Sequence, residues 1–168
     1  AVLVFLTLML MLNWRAAFWV TSGMGVAILG TLAVMYFVGT TLNLLTMVGL
    51  IIVVGILVDD GIVVSENILS EHERGLSPTQ AAIKGSESIA WPVIGTVTTT
   101  IVAFAPLLLI KGRIGDLMGA LPIVVAIALT MSVIESIFVL PAHMAHSLEG
   151  IERRRREAAI RDVQHLEP

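Results

Sequence analysis

No cysteine occurs anywhere in the chain, so disulfides and thiolate metal sites are excluded. Charge is scarce as well: Asp, Glu, Lys and Arg make up 14% of the 168 residues, and aromatic residues 5%. An ordinary soluble domain carries roughly 25% charged residues, so this chain has too few to clothe a globule in water. The ten-residue alternation of outer-membrane barrel strands is missing. So are the charged start and small-residue cleavage pattern of a secretory signal. What remains is a sequence that is 57% hydrophobic. A lipid environment favours the display of that much apolar surface, and helix is the state that satisfies backbone polar groups there.

Five apolar stretches follow one another, at residues 1–12, about 17–38, about 42–65, about 89–110 and about 117–140. A spanning helix needs about 20 residues, so the last four are long enough. The first reads as the truncated end of a longer span. The expected fold is all-α: a polytopic transmembrane helical bundle over residues 1–146, with a partial first helix and four full spans. A charged cytoplasmic surface helix or linker is expected over residues 147–168.

Basic residues set the orientation. If the first run exits into the cytoplasm, all ten Lys and Arg residues except Lys111 and Arg113 lie inside. Arg153 to Arg156 then face the inner leaflet, where each basic residue near anionic lipid contributes about 1 kcal/mol; a solvated topology anchor is the plain alternative. Membrane lipid is thus an expected partner, and nucleic acid is not. Gly23, Gly25, Ala27 and Gly30 suit close helix packing. Pro92, Pro106, Pro122 and Pro141 read as rigid kinks.

The most informative stretch runs Gly55-Ile-Leu-Val-Asp59-Asp60-Gly-Ile-Val-Val-Ser-Glu66-Asn67, because it sets two carboxylates side by side within a spanning segment. Insertion scales assign roughly 2.5 to 3.5 kcal/mol to one Asp at a helix centre. Such a pair needs partners, protonation or a water-filled cavity. Burial and a neighbouring like charge disfavour ionisation, whereas an ammonium favours it. A pair of this kind titrates, and bringing a basic group near or removing it turns proton binding into a change of helix packing. The bland reading is a locked hydrogen-bond network. No basic residue lies within these spans, so the partner is expected from another polypeptide segment.

Weaker candidates accompany the pair. Glu135 in the last span either extends a proton path or bonds a neighbouring hydroxyl. Thr98 and Thr99, with Thr100, either line that path or bond their own helix. His143 and His146 share a helix face, yet no third ligand is evident, which favours an interfacial role over a metal site. No metal and no cofactor are expected.

At these residues a resemblance emerges. Leu42-Asn-Leu-Leu-Thr-Met-Val-Gly49, the Asp59-Asp60 stretch and Glu73-Arg-Gly-Leu-Ser-Pro78 resemble the resistance-nodulation-division efflux pumps, in the AcrB/AcrD/AcrF-like branch of hydrophobe and amphiphile exporters. The resemblance implies that Asp59 and Asp60 match the proton-translocation aspartates, driven by the proton motive force and paired with a lysine from a C-terminal half. It further implies a homotrimer in the bacterial inner membrane that docks a periplasmic adaptor and an outer-membrane channel. The chain then corresponds to the N-terminal transmembrane half, a secondary transporter fragment and not an enzyme. Glu135 departs from the family, whose typical drug pumps are apolar there. The other reading is a structural or protein-export accessory bundle of the same superfamily, using its acids only for assembly.

Overall fold

The computed structural model describes Met9 and residues 14–164. The expected partial first helix therefore lies, apart from Met9, outside the described residues. Among those residues the regular structure is entirely helical, as the composition requires of a chain in lipid. Four helical runs are long and apolar enough to cross a membrane.

Helix α1 (Trp14–Val38) ends where Gly39 adopts a φ of 76°. The Gly39 and Thr40 amides donate back to Tyr36 and Met35 carbonyls at 3.2 and 2.9 Å, closing the helix with a left-handed glycine. Helix α2 (Leu44–Glu73) opens on a capping box. Asn43 Oδ1 accepts from the Leu45 and Thr46 amides at 2.9 and 3.0 Å, and Thr46 Oγ1 accepts from the Asn43 amide at 2.8 Å. The 30 residues of α2 rise about 45 Å, which exceeds the roughly 30 Å hydrocarbon layer. Its last turns therefore reach past the apolar zone and carry Glu66, Asn67 and Glu71.

Helix α3 (Pro78–Phe104) starts with proline at its first position, where no amide bond is lost. It begins well before the apolar stretch at residue 89, because its first three turns pack on α2 and not on lipid. Gly85 permits that approach. A Cβ at Gly85 would lie 2.7 Å from the Ile68 Cα, and Asn67 Nδ2 donates to Gly85 O and Ser88 Oγ, each at 2.6 Å. Around Pro106 the chain tightens into a 3-10 turn (Ala105–Leu109) and then reverses at Gly112, φ 85°. A short α4 (Arg113–Met118) leads into α5 (Ala120–Ile134), a π-helical turn (Glu135–Val139) and α6 (Leu140–Gln164). No break marks residue 147: Gly150 stays helical, so the charged tail continues the last apolar helix directly.

Two apolar clusters form the interior. One joins Ala17 and Val20 of α1, Val64 and Ile68 of α2, and Leu140 and Met144 of α6. The other joins Met24 and Ala27, Val53 and Leu57, Val97 of α3, and Val125 and Leu129 of α5. The chain passes from one cluster to the other between Val20 and Met24 of α1, between Leu57 and Val64 of α2, and between Leu129 of α5 and Leu140 of α6. These intervals hold Thr21, Ser22 and Gly23, then Asp59, Asp60 and Gly61, then Ser132, Glu135 and Ser136. A polar layer therefore sits between two apolar ones.

The end of the bundle expected to be cytoplasmic gathers its charges. Glu71 pairs with Lys84 at 2.9 Å and with Arg74, His72 Nε2 lies 3.8 Å from Glu152, and Thr79 Oγ1 donates to Glu149 at 3.1 Å. These contacts bind the α2–α3 connection to α6. Outward-facing Tyr36, Phe37, Leu44, Ile51, Trp91 and Phe138 are all exposed, a surface that water does not tolerate and lipid does.

Candidate functional site

Asp59 and Asp60 lie halfway along α2, about 20 Å from either end at 1.5 Å per residue. Successive helical residues point about 100° apart, and here that rotation separates the two carboxylates. Asp60 is buried, 9% exposed, and turns toward the Ser132 hydroxyl of α5; its Oδ2 has no hydrogen-bond partner. Asp59 is exposed, and both aspartates line an open groove of about 330 Å³ between α2 and α3. Pro92, Thr96 and Thr100 form the α3 wall of that groove.

None of the ion pairs among the described residues involves either aspartate. Lys84 and Arg74 are committed to Glu71 at the end of the bundle, and Lys111 and Arg113 flank the connection that reverses at Gly112. The groove thus presents two carboxylates and two hydroxyls and lacks a cation of its own.

Glu135 is buried as well, like Asp60 and Glu71. It is 7% exposed, opens the π-helical turn between α5 and α6, and its Oε1 has no hydrogen-bond partner. A Cβ on Gly23 of α1 would overlap its carboxylate, so glycine there makes the room it occupies.

Thr98 and Thr99 lie elsewhere. Both are exposed, donate to the Ile94 and Gly95 carbonyls of their own helix at 2.7 Å, and are absent from the groove. The groove hydroxyls are Thr100, which the sequence offered beside Thr98 and Thr99, and Thr96, which sequence reasoning did not single out. Their signal was present as a four-residue row, Pro92, Thr96, Thr100, on one helix face. His143 stacks on Trp19 with ring centres 4.2 Å apart, whereas His146 lines a separate groove with Trp14, Phe18 and Arg153.

The profile of the AcrB/AcrD/AcrF family matches residues 1–166. The chain belongs to the AcrB/AcrD/AcrF family. Among curated relatives, the multidrug resistance protein MdtC of Proteus mirabilis (strain HI4320) is 34% identical over 127 residues, which are 76% of this chain and 12% of that protein. MdtC of Pectobacterium atrosepticum is 31% identical over 154 residues, 92% of this chain and 15% of that protein. MdtC of Photorhabdus laumondii is 33% identical over 136 residues, 81% of this chain and 13% of that protein. The chain spans less than a sixth of the length of these relatives. The resemblance carried by the Asp59-Asp60 stretch is therefore a family relationship, and the bundle is a membrane segment of a transporter family.

Proposed function

We propose that this AcrB/AcrD/AcrF family chain is part of a proton-driven multidrug or solute efflux transporter of the bacterial inner membrane, in which Asp59 and Asp60 carry the proton. The observation that carries the reading is the placement of the pair: both carboxylates line one open groove that holds no cation, Asp59 exposed and Asp60 buried beside Ser132 of α5. A single helix thereby offers one carboxylate at the open face of the groove and one at its buried edge.

An ionised Asp near mid-membrane costs roughly 2.5 to 3.5 kcal/mol on insertion scales unless it is paired or hydrated. Protonating the pair removes that cost, and bringing a cation into the groove offsets it. Exchange between those two states moves whatever segment carries the cation, which is how proton binding becomes helix motion. In this reading a lysine from a C-terminal half enters the groove beside Asp59, and Thr96 and Thr100 solvate the transfer. Substrate selection, trimer assembly, and docking of a periplasmic adaptor and an outer-membrane channel belong to parts of the pump beyond this bundle.

Drug susceptibility in cells producing the full-length pump tests the reading. Asp59→Asn and Asp60→Asn, each present at normal levels in the membrane, abolish resistance if the pair carries the proton. Resistance that survives both substitutions overturns the assignment and favours an accessory or structural bundle.

A further inference from the structure

We propose that Glu135 is a second proton-holding carboxyl, receiving the proton that Asp60 releases inward through the Ser132 hydroxyl. This step rests on the proton-carrier reading of Asp59 and Asp60 and extends it into the interior of the bundle.

The geometry is that of the polar layer between the two apolar clusters. Ser132 neighbours the Asp60 carboxylate and precedes Glu135 by three residues, so the two share one helix face, with Cβ atoms typically about 5–6 Å apart. Glu135 stands where the helix widens into a π turn, a distortion found preferentially at functional positions. It is 7% exposed, with an oxygen that nothing bonds. A buried polar atom is ordinarily hydrogen-bonded, so a purely structural Glu135 is expected to be paired, and this oxygen is not. Gly23 keeps its space open.

The charged surroundings are sparse on every side. Helix α1 has no charged residue from Ala16 to Val38, α3 has none between Glu87 and Lys111, and α5 has none at all. The first ionisable group of α6 is His143, engaged with Trp19. On α2 the buried acid of this layer is Asp60, which neighbours Ser132. The Asp60 proton passes to Ser132 Oγ as the Ser132 hydroxyl proton passes to a Glu135 oxygen. The result is an ionised Asp60, an unchanged serine and a protonated Glu135, with no net charge created in the layer.

The test uses the full-length pump in liposomes under an imposed pH gradient, comparing Glu135→Gln and Glu135→Asp with the parent and with Asp60→Asn. The expected result is a Glu135→Gln rate lower by on the order of 10²-fold, the low end for a positioned proton-transfer group. One ionisation should vanish from its rate-against-pH profile, and Glu135→Asp should recover most of the activity. A difference infrared spectrum should lose one protonated-carboxyl band in Glu135→Gln. Wild-type rate and pH profile in Glu135→Gln, with Asp60→Asn inactive, would overturn this proposal alone. Activity in Asp60→Asn would overturn the proton-carrier reading beneath it. If Glu135→Gln fails to insert, a wild-type pH profile in Glu135→Asp together with no carboxyl band from residue 135 overturns the proposal equally.

Discussion

Gly85→Ala examines the contact that fixes α3 against the acid-bearing helix. The new methyl carbon would stand 2.7 Å from Ile68 Cα and 2.9 Å from Ile68 N. Carbon atoms rest at about 3.5–4.0 Å, and Ile68 presents backbone there, so the helices must part by about 1 Å. Overpacking of that kind costs about 1–3 kcal/mol. The parting also stretches both 2.6 Å bonds from Asn67 to Gly85 O and Ser88 Oγ beyond hydrogen-bonding range, at about 1 kcal/mol each. Alanine returns about 1 kcal/mol of helix propensity. The net expectation is a loss of about 3 kcal/mol. Gly95→Ala on the same helix is the control, because a Cβ there meets nothing within 4 Å; it should be neutral or stabilising by up to about 1 kcal/mol. Unfolding by sodium dodecyl sulfate in mixed micelles, followed by tryptophan fluorescence, reads the difference. Equal midpoints for the two variants would refute the claim that Gly85 sets the α2–α3 approach.

Asn43→Ala removes the capping oxygen of α2 and should cost about 1 kcal/mol in the same assay, with Asn43→Asp close to the parent. Thr100→Val should impair export by the full-length pump more than Thr98→Val does, since Thr100 lines the Asp59 groove while Thr98 faces away; minimum inhibitory concentrations of an exported drug measure this. Gly23→Ala pushes the Glu135 carboxylate from its space and should destabilise the bundle by about 1–3 kcal/mol. Adding Glu135→Ala should restore part of that loss, a non-additivity that a double-mutant cycle in mixed micelles quantifies.

The helices were legible because their apolar runs exceed what any soluble element needs, and the acid pair because two adjacent carboxylates in such a run violate that pattern. The direction in which each acid points was not. The 100° between Asp59 and Asp60 is known from the sequence, but the phase of the helix is set by Val53, Leu57 and Val64 meeting partners on α1, α5 and α6. The same missing phase explains why Thr98 and Thr99 looked as eligible as Thr100, and why Thr96 was passed over, in a run of near-identical residues. The early start of α3 was hidden because residues 78–88 are polar, and their helicity comes from Gly85, Ser88 and Lys84 meeting Ile68, Asn67 and Glu71 on α2. Glu135 was visible as an oddity. Its burial, however, depends on a glycine 112 positions earlier in the chain and on a widened turn that no local pattern announces.

Proton flux through the reconstituted full-length pump tests the central claim most directly. With a pH gradient imposed across liposomes and an exported substrate present, the parent should release protons as it moves substrate, and Asp59→Asn and Asp60→Asn should each show no coupled proton movement while still inserting and binding substrate. Wild-type coupled flux in both carboxamide variants would contradict the account.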